Sequence, residues 1–193
     1  MTVTPTDVLD FWFGAADAAE HGAFRREWFT ADAAFDAQIH RRFRTTWERL
    51  CDGELESWRA APENALAYLI VADQFPRNCF RGSPRAFATD ALALVAAQAL
   101  VDTGTDRQLS ALQRCFVYLP FEHAESLAMQ DRSVALYATL VAAHPDLQQV
   151  LDFARRHRDV IARFGRFPHR NTALGRESTA AEREFLLQPD SSF

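Results

Sequence analysis

Apolar side chains in this sequence recur every third or fourth residue almost throughout, and no run of alternating β-branched residues interrupts them. That regularity restricts the chain to helices, because steps of three and four return side chains to one helical face while a strand needs a period of two. Phe35, Ile39 and Phe43 recur at spacing four with Trp47 beyond them, which predicts a helix over residues 33–50 that ends before Gly53. Leu147, Val150, Ala154, His157, Ile161 and Phe164 are separated by 3, 4, 3, 4 and 3 positions, which places all six on one stripe of a helix over 146–164.

Cap and breaker residues divide the rest. Thr4-Pro5-Thr6-Asp7 opens a first helix carrying Val8, Leu9, Phe11 and Trp12. Pro62 begins another through Leu66, Leu69 and Ile70, and Ser83-Pro84 one that runs to about residue 101. Thr105-x-x-Gln108 reads as a capping box for a helix through Leu109, Leu112 and Phe116. Pro120 is expected to start a helix that runs to residue 143, His144-Pro145 to close it, and Gly165 to stop the next. Thr179-x-x-Glu182 opens a last short helix. The expected fold is all-α, a single domain over residues 1–193 of about eight helices with no Gly/Ser linker. Trp12, Phe35, Phe43, Leu66, Ile70, Leu94, Phe116, Leu140, Ile161 and Phe164 are its expected core.

Composition removes several classes of function. A net charge of −5 speaks against a nucleic-acid partner, which calls for a strongly basic face. All 21 basic residues are Arg, so a P-loop lysine, a Schiff-base lysine and a Ser-Lys pair are absent. Cys51, Cys79 and Cys115 are isolated and odd in number, which speaks against structural zinc and a disulfide framework. There is no Gly-x-Ser-x-Gly and no Gly-x-Gly. Without a signal-like start, and with no apolar stretch expected to reach the roughly 18 residues of a membrane span, a cytoplasmic protein with no membrane partner is expected.

One polar peptide occurs twice: Gln74-Phe75-Pro76-Arg77-Asn78 and Arg166-Phe167-Pro168-His169-Arg170-Asn171. Proline fixes its own φ and biases the residue before it to extended geometry, so each Phe-Pro is expected to stop a helix and aim the Arg and Asn that follow. A second polar stretch is Tyr118-Leu119-Pro120-Phe121-Glu122-His123-Ala124-Glu125. Glu122 and Glu125, three apart, would share one face of a helix begun at Pro120, where carboxylates serve as a base, a cation site, arginine partners or simple caps. His157 points inward on its stripe, as a packed core imidazole or as a proton carrier.

These peptides, together with Leu9-Asp10-Phe11-Trp12-Phe13-Gly14, Asp73 and the stretch Leu174-Gly175-Arg176-Glu177-Ser178-Thr179, resemble the successive signatures of the bacterial DUF924 family over nearly the whole chain. Ala124 departs from the pattern, where Ser is expected. The resemblance implies an all-helical fold similar to tetratricopeptide-repeat domains, although the sequence has no clean period of about 34 residues. It implies no catalytic assignment.

The residues themselves point first to a pocket for a small anionic ligand, a carboxylate or a phosphate. Arg77 and Arg170 would clamp it, Asn78 and Asn171 orient it, Asp73 and His169 line it, and His157, Glu122 and Glu125 supply acid–base chemistry. Three other readings compete. Helical repeats serve as peptide- or protein-binding scaffolds. The polar motifs can equally be internal ties that join helices. A metal-dependent hydrolase could draw ligands from Glu122, Glu125, His157 and His169, although the usual helical metal motifs are missing.

Overall fold

The computed structural model describes residues 2–18, 22–189 and 191, and their regular structure is helical, with no strand among them. Helix α1 (Pro5–Phe13) opens as its cap predicts: the Thr4 hydroxyl accepts the Asp7 amide while the Asp7 carboxylate accepts the Thr4 amide. Helix α2 (Ala33–Cys51) is capped by Asp32, whose carboxylate accepts from the amides of Ala34 and Phe35. It buries Phe35, Ile39, Phe43, Trp47 and Leu50, and Gly53 turns the chain after it at φ 77°.

Helix α3 (Pro62–Leu69) does not stop at Phe75-Pro76. It widens into a π turn at Ile70–Gln74 and resumes as α4 (Phe75–Cys79). Proline cannot donate to the carbonyl four residues back and its ring crowds that carbonyl. The π turn absorbs the conflict by slipping the ladder one residue, so that the Phe75 amide bonds to the carbonyl of Ile70. Phe75 is thereby turned into the core, fully buried, with its ring 4.7 Å from that of Phe43.

After a 3₁₀ turn at Pro84–Phe87 come α5 (Asp90–Thr103) and α6 (Ala111–Glu122). The helical stretch Pro84–Thr103 is, by length and composition only, enough to cross a membrane, contrary to the sequence expectation; an 18-residue window of it has a mean hydropathy of 1.3 and is 33% buried in the protein. The capping box expected at Thr105 is a 3₁₀ turn instead, and Ser110 and Gln113 make the reciprocal pair that opens α6. Pro120 lies inside α6 rather than at a helix start.

Helices α7 (Leu127–Ala143), α8 (Gln148–Phe164) and α9 (Ala180–Leu186) complete the chain. Gly165, at φ 70°, closes α8 with its amide on the carbonyl of Ile161, so the second Phe-Pro follows a helix already stopped and opens a 3₁₀ turn at Pro168–Arg170. The Thr179–Glu182 capping box opens α9 as expected.

Contacts divide the chain into two compact units: Met1–Arg81 with Arg85–Pro120, and Gly82–Pro84 with Phe121–Phe193. In the first, Trp12 packs against Trp28, Phe35, Phe75 and Phe116 with ring centroids 5.7 to 6.0 Å apart, an aromatic core contributed by five separate segments. In the second, α7 packs on α8. Asp131 and Arg158, each far from the intervening turn, meet at 2.7 Å, as an antiparallel hairpin requires. Of the expected core, Leu94 and Phe164 are only half-buried, and the rest is buried.

Candidate functional site

In the first unit the Arg and Asn of the Phe-Pro peptide each meet an acid of a neighbouring helix. Arg77 places its fork on both oxygens of Asp90, at 2.8 and 3.1 Å, and also donates to the carbonyl of Asp73. Burial works against this charge, but Asp73 and Asp90 outweigh it and raise the Arg77 pKa. Asp73 is buried in the π turn, and its carboxylate accepts from Gln74 at 2.6 Å and faces Arg77 at 3.4 Å. Asn78 donates to Asp36 at 2.8 Å, beside a bidentate contact from Arg81. The guanidinium expected to clamp an anion is thus in an internal ion pair that ties α4 to α5, and Asn78 ties α4 to α2. Asp36, Arg81 and Asp90 lie outside the repeated peptide, so the repeat itself gave no sign of them.

The Thr89 hydroxyl is a further tie that the sequence did not mark. It donates to the carbonyl of Ala72 at 2.5 Å and accepts the indole N–H of Trp47 at 3.1 Å. Ala72 stands four residues before Pro76, so its carbonyl is the one whose helical partner proline removes.

The second unit gathers the remaining motif residues. Because α6 ends at Glu122, Glu125 falls in the turn before α7, and the two carboxylates do not share the helical face expected for them. Glu125 accepts from Arg176 at 2.6 and 2.9 Å and from the Phe167 amide at 2.8 Å. Burial raises its pKa, but these bonds, led by Arg176, pull the net value below the ordinary one and keep it ionised. Arg176 also donates to the Asn171 side chain and the Phe167 carbonyl, while Asn171 donates to Ser178. Arg176 was legible only as part of the family-like stretch after Gly175, whose φ of 65° turns the chain there.

Glu122 goes inward. Its Oε1 lies 3.1 Å from Nδ1 of His157, the two residues being only 3% and 5% exposed. The same Nδ1 is 2.9 Å from the carbonyl of Phe153. A carbonyl only accepts, so Nδ1 carries the hydrogen and shares it between two oxygens, and Nε2 holds the lone pair of the neutral ring. Burial pushes the His157 pKa well down, against the bond to the Phe153 carbonyl, which raises it, and His123, His169 and Arg170 add to the lowering. The imidazole of the pair is therefore neutral near pH 7.

Around it, the His157 ring stands 5.6 Å from the fully buried ring of Phe167 and 6.3 Å from that of His123. Arg170, 6% exposed, lies 4.5 Å over the Phe167 ring, and the His169 ring also stands 5.6 Å from it. Phe167 is thus the hub on which His157, His169 and Arg170 are set. Among the described residues no three His, Cys, Asp or Glu side chains converge as a metal site, and Glu125 of the suggested ligand set is engaged by Arg176. An open cleft of about 640 Å³ in this unit is lined by Arg163, Phe164, Arg166, Thr179, Ala181 and Glu182, none of them an expected ligand-binding residue. Its Arg166 is already bidentate on Glu182, at 2.7 and 2.8 Å.

Fold and site together define an all-helical protein whose signature polar residues turn inward, as acid–arginine ties and one buried carboxylate–imidazole pair. The profile of the family described as bacterial proteins of unknown function, DUF924, matches residues 8–190, and the chain belongs to that family. A solved structure of a protein of unknown function from Agrobacterium tumefaciens is 42% identical, with a TM-score of 0.83 over 95% of this chain and 96% of that one. No curated protein matches the chain.

Proposed function

We propose that the second unit carries a site for a small anionic ligand, a carboxylate or a phosphate, built on Arg170, His169, Glu122 and His157. The observation that carries this reading is a buried imidazole and a buried guanidinium set on one aromatic ring, with a buried acid against the imidazole. Burying such groups is costly, and apolar residues of similar volume often serve packing as well, so their concentration in one place is more typical of a site than of a plain core. Arg170 supplies a planar fork for the anion and His169 a second donor. His157, with Nδ1–H fixed by Glu122 and Phe153, offers Nε2 as a base, and Glu122 steadies the imidazolium once a proton arrives. Glu125 acts one step removed, by holding Arg176 and the Phe167 amide. The proposed setting is the cytoplasm, with neither membrane nor nucleic acid as partner, and the net charge of −5 supports the latter.

A second reading accounts for the first unit. Asp73, Arg77 and Asn78 are internal ties between helices, a role supported by the Asp90 and Asp36 contacts. The two readings part in one experiment. Thermal unfolding of the parent protein is followed with and without phosphate and small carboxylates, then repeated for Arg170→Lys and Arg77→Lys. Ligand should raise the parent midpoint, Arg170→Lys should lose that response, and Arg77→Lys should keep it from a lower baseline. No response of the parent to any of these anions rejects the anion site.

A further inference from the structure

The open cleft of the second unit, about 640 Å³, has the size of a small-molecule site, roughly 300–1,000 Å³. Its walls come from two elements: the last turn of α8 supplies Arg163 and Phe164, and the start of α9 supplies Thr179, Ala181 and Glu182, with Arg166 from the turn after α8. Two of its charges answer each other. Arg166 places its fork on both oxygens of Glu182, which is almost fully buried and also accepts the Thr179 amide.

Arg163 is placed differently. It makes no hydrogen bond or ion pair with any described residue, and its guanidinium rests on two aromatic rings, 4.6 Å from the centroid of Phe164 and 5.8 Å from that of Phe185. Those rings are themselves held, 5.2 Å apart, against the core cluster of Val160, Ile161 and Phe167. The cation is thus steadied on an aromatic base while its N–H donors stay unused, and it brings the cleft a positive charge that the paired Glu182 does not offset. Phe164, expected in the core, is half-buried and forms an apolar wall of the same cleft. An arginine in a last helical turn also suits the helix dipole, but that role calls for neither a cleft nor aromatic neighbours.

We propose that this cleft binds an anion carried on an apolar body, an aryl or alkyl carboxylate or phosphate, with Arg163 receiving the anionic group and Phe164 the apolar part. The proposal stands on residues other than those of the Arg170 site and does not rest on it. An exposed charge pair holds little by itself, so the apolar contact is what separates such a ligand from a simple anion.

The test follows the full chain by amide NMR with four probes: phenylacetate, phenyl phosphate, acetate and 2-phenylethanol. At least one aryl anion should shift the Phe164 and Ala181 amides saturably, and acetate and 2-phenylethanol, each lacking one half of the contact, should bind at least about tenfold more weakly. The tighter of the two aryl anions identifies the group that Arg163 receives. Arg163→Gln, at an exposed position, should melt with the parent and weaken the aryl anion about tenfold, Phe164→Leu should weaken it too, and Arg170→Lys should leave it unchanged. No shift at these amides with either aryl anion at about 10 mM overturns the site. So does binding that survives Arg163→Gln, or that acetate or 2-phenylethanol matches. Loss of binding in Arg170→Lys but not in Arg163→Gln assigns the anion to the other site and overturns this one.

Discussion

The Thr89 hydroxyl sits 2.5 Å from the carbonyl of Ala72, at the place where Pro76 withdraws the main-chain donor. One side chain thus repairs the defect that a proline introduces into a continuous helical run, and it is itself held by the indole of Trp47 on α2. Replacing Thr89 by Val, which keeps the shape and removes the hydroxyl, should leave the Trp47 N–H and the Ala72 carbonyl buried without their partner. We expect a loss of about 2 kcal/mol in unfolding free energy, with unchanged circular dichroism at room temperature. A denaturant titration that finds Thr89→Val as stable as the parent would show that the π turn satisfies itself.

Arg77 and Asp90 are a fork-to-carboxylate pair with both partners largely shielded from water. Lysine at position 77 keeps the charge but not the two parallel bonds. Arg77→Lys should lower stability by about 1.5 to 3 kcal/mol, or some 3 to 12 °C in melting temperature for a chain of this size. In a double-mutant cycle with Asp90→Asn the losses should fall short of additive. Additive losses would show that Arg77 acts through Asp73 alone.

His157 should make stability depend on pH in a defined window. Its folded pKa lies well below the ordinary 6.5 because of burial, so the unfolded chain takes up a proton there before the folded chain does. The contribution is complete above pH 6.5 and is lost as pH falls from 6.5 toward the folded value. Denaturant midpoints at about pH 7.5 and about pH 5 should therefore differ more for the parent than for His157→Gln. The same ring can be read directly by nitrogen NMR near neutral pH, where the hydrogen should be on Nδ1. A proton on Nε2 instead would remove His157 as a base.

Glu182 sets a second, more acidic window. The Arg166 fork and the Thr179 cap hold its pKa down to about 2, from an ordinary 4.5. A depressed carboxylate stabilises the fold fully above the unfolded value and loses that contribution as pH falls from 4.5 toward 2. Acid unfolding of the parent should be steeper across that range than that of Glu182→Gln. Parallel curves would mean that the α9 cap does not depend on charge.

Much of the helical layout was legible because it is local. Thr4 and Thr179 cap the helices they were expected to open, Gly165 takes the left-handed turn, and the 3-4 spacing put His157 on the buried stripe. These features depend on residues within one or two turns of each other, where sequence distance is spatial distance. The all-α class follows from them.

Where proline acts depended on surroundings that no window of sequence contains. Phe75-Pro76 would end an isolated helix, but Thr89, thirteen residues beyond Pro76, and Trp47, far upstream, supply the bonds that let the run continue through a π turn. Pro120 likewise stays within α6, and the helix ends two residues later, which separates Glu122 from Glu125. Partner choice was decided the same way. The repeated peptide suggested equivalent roles for Arg77 and Arg170, yet Arg77 meets Asp90 while Arg170 lies over Phe167 among histidines. An arginine carries the same charge and the same fork wherever it stands, and its use is set by which acid or ring the folded chain brings within about 3 to 5 Å, a distance that only tertiary packing decides.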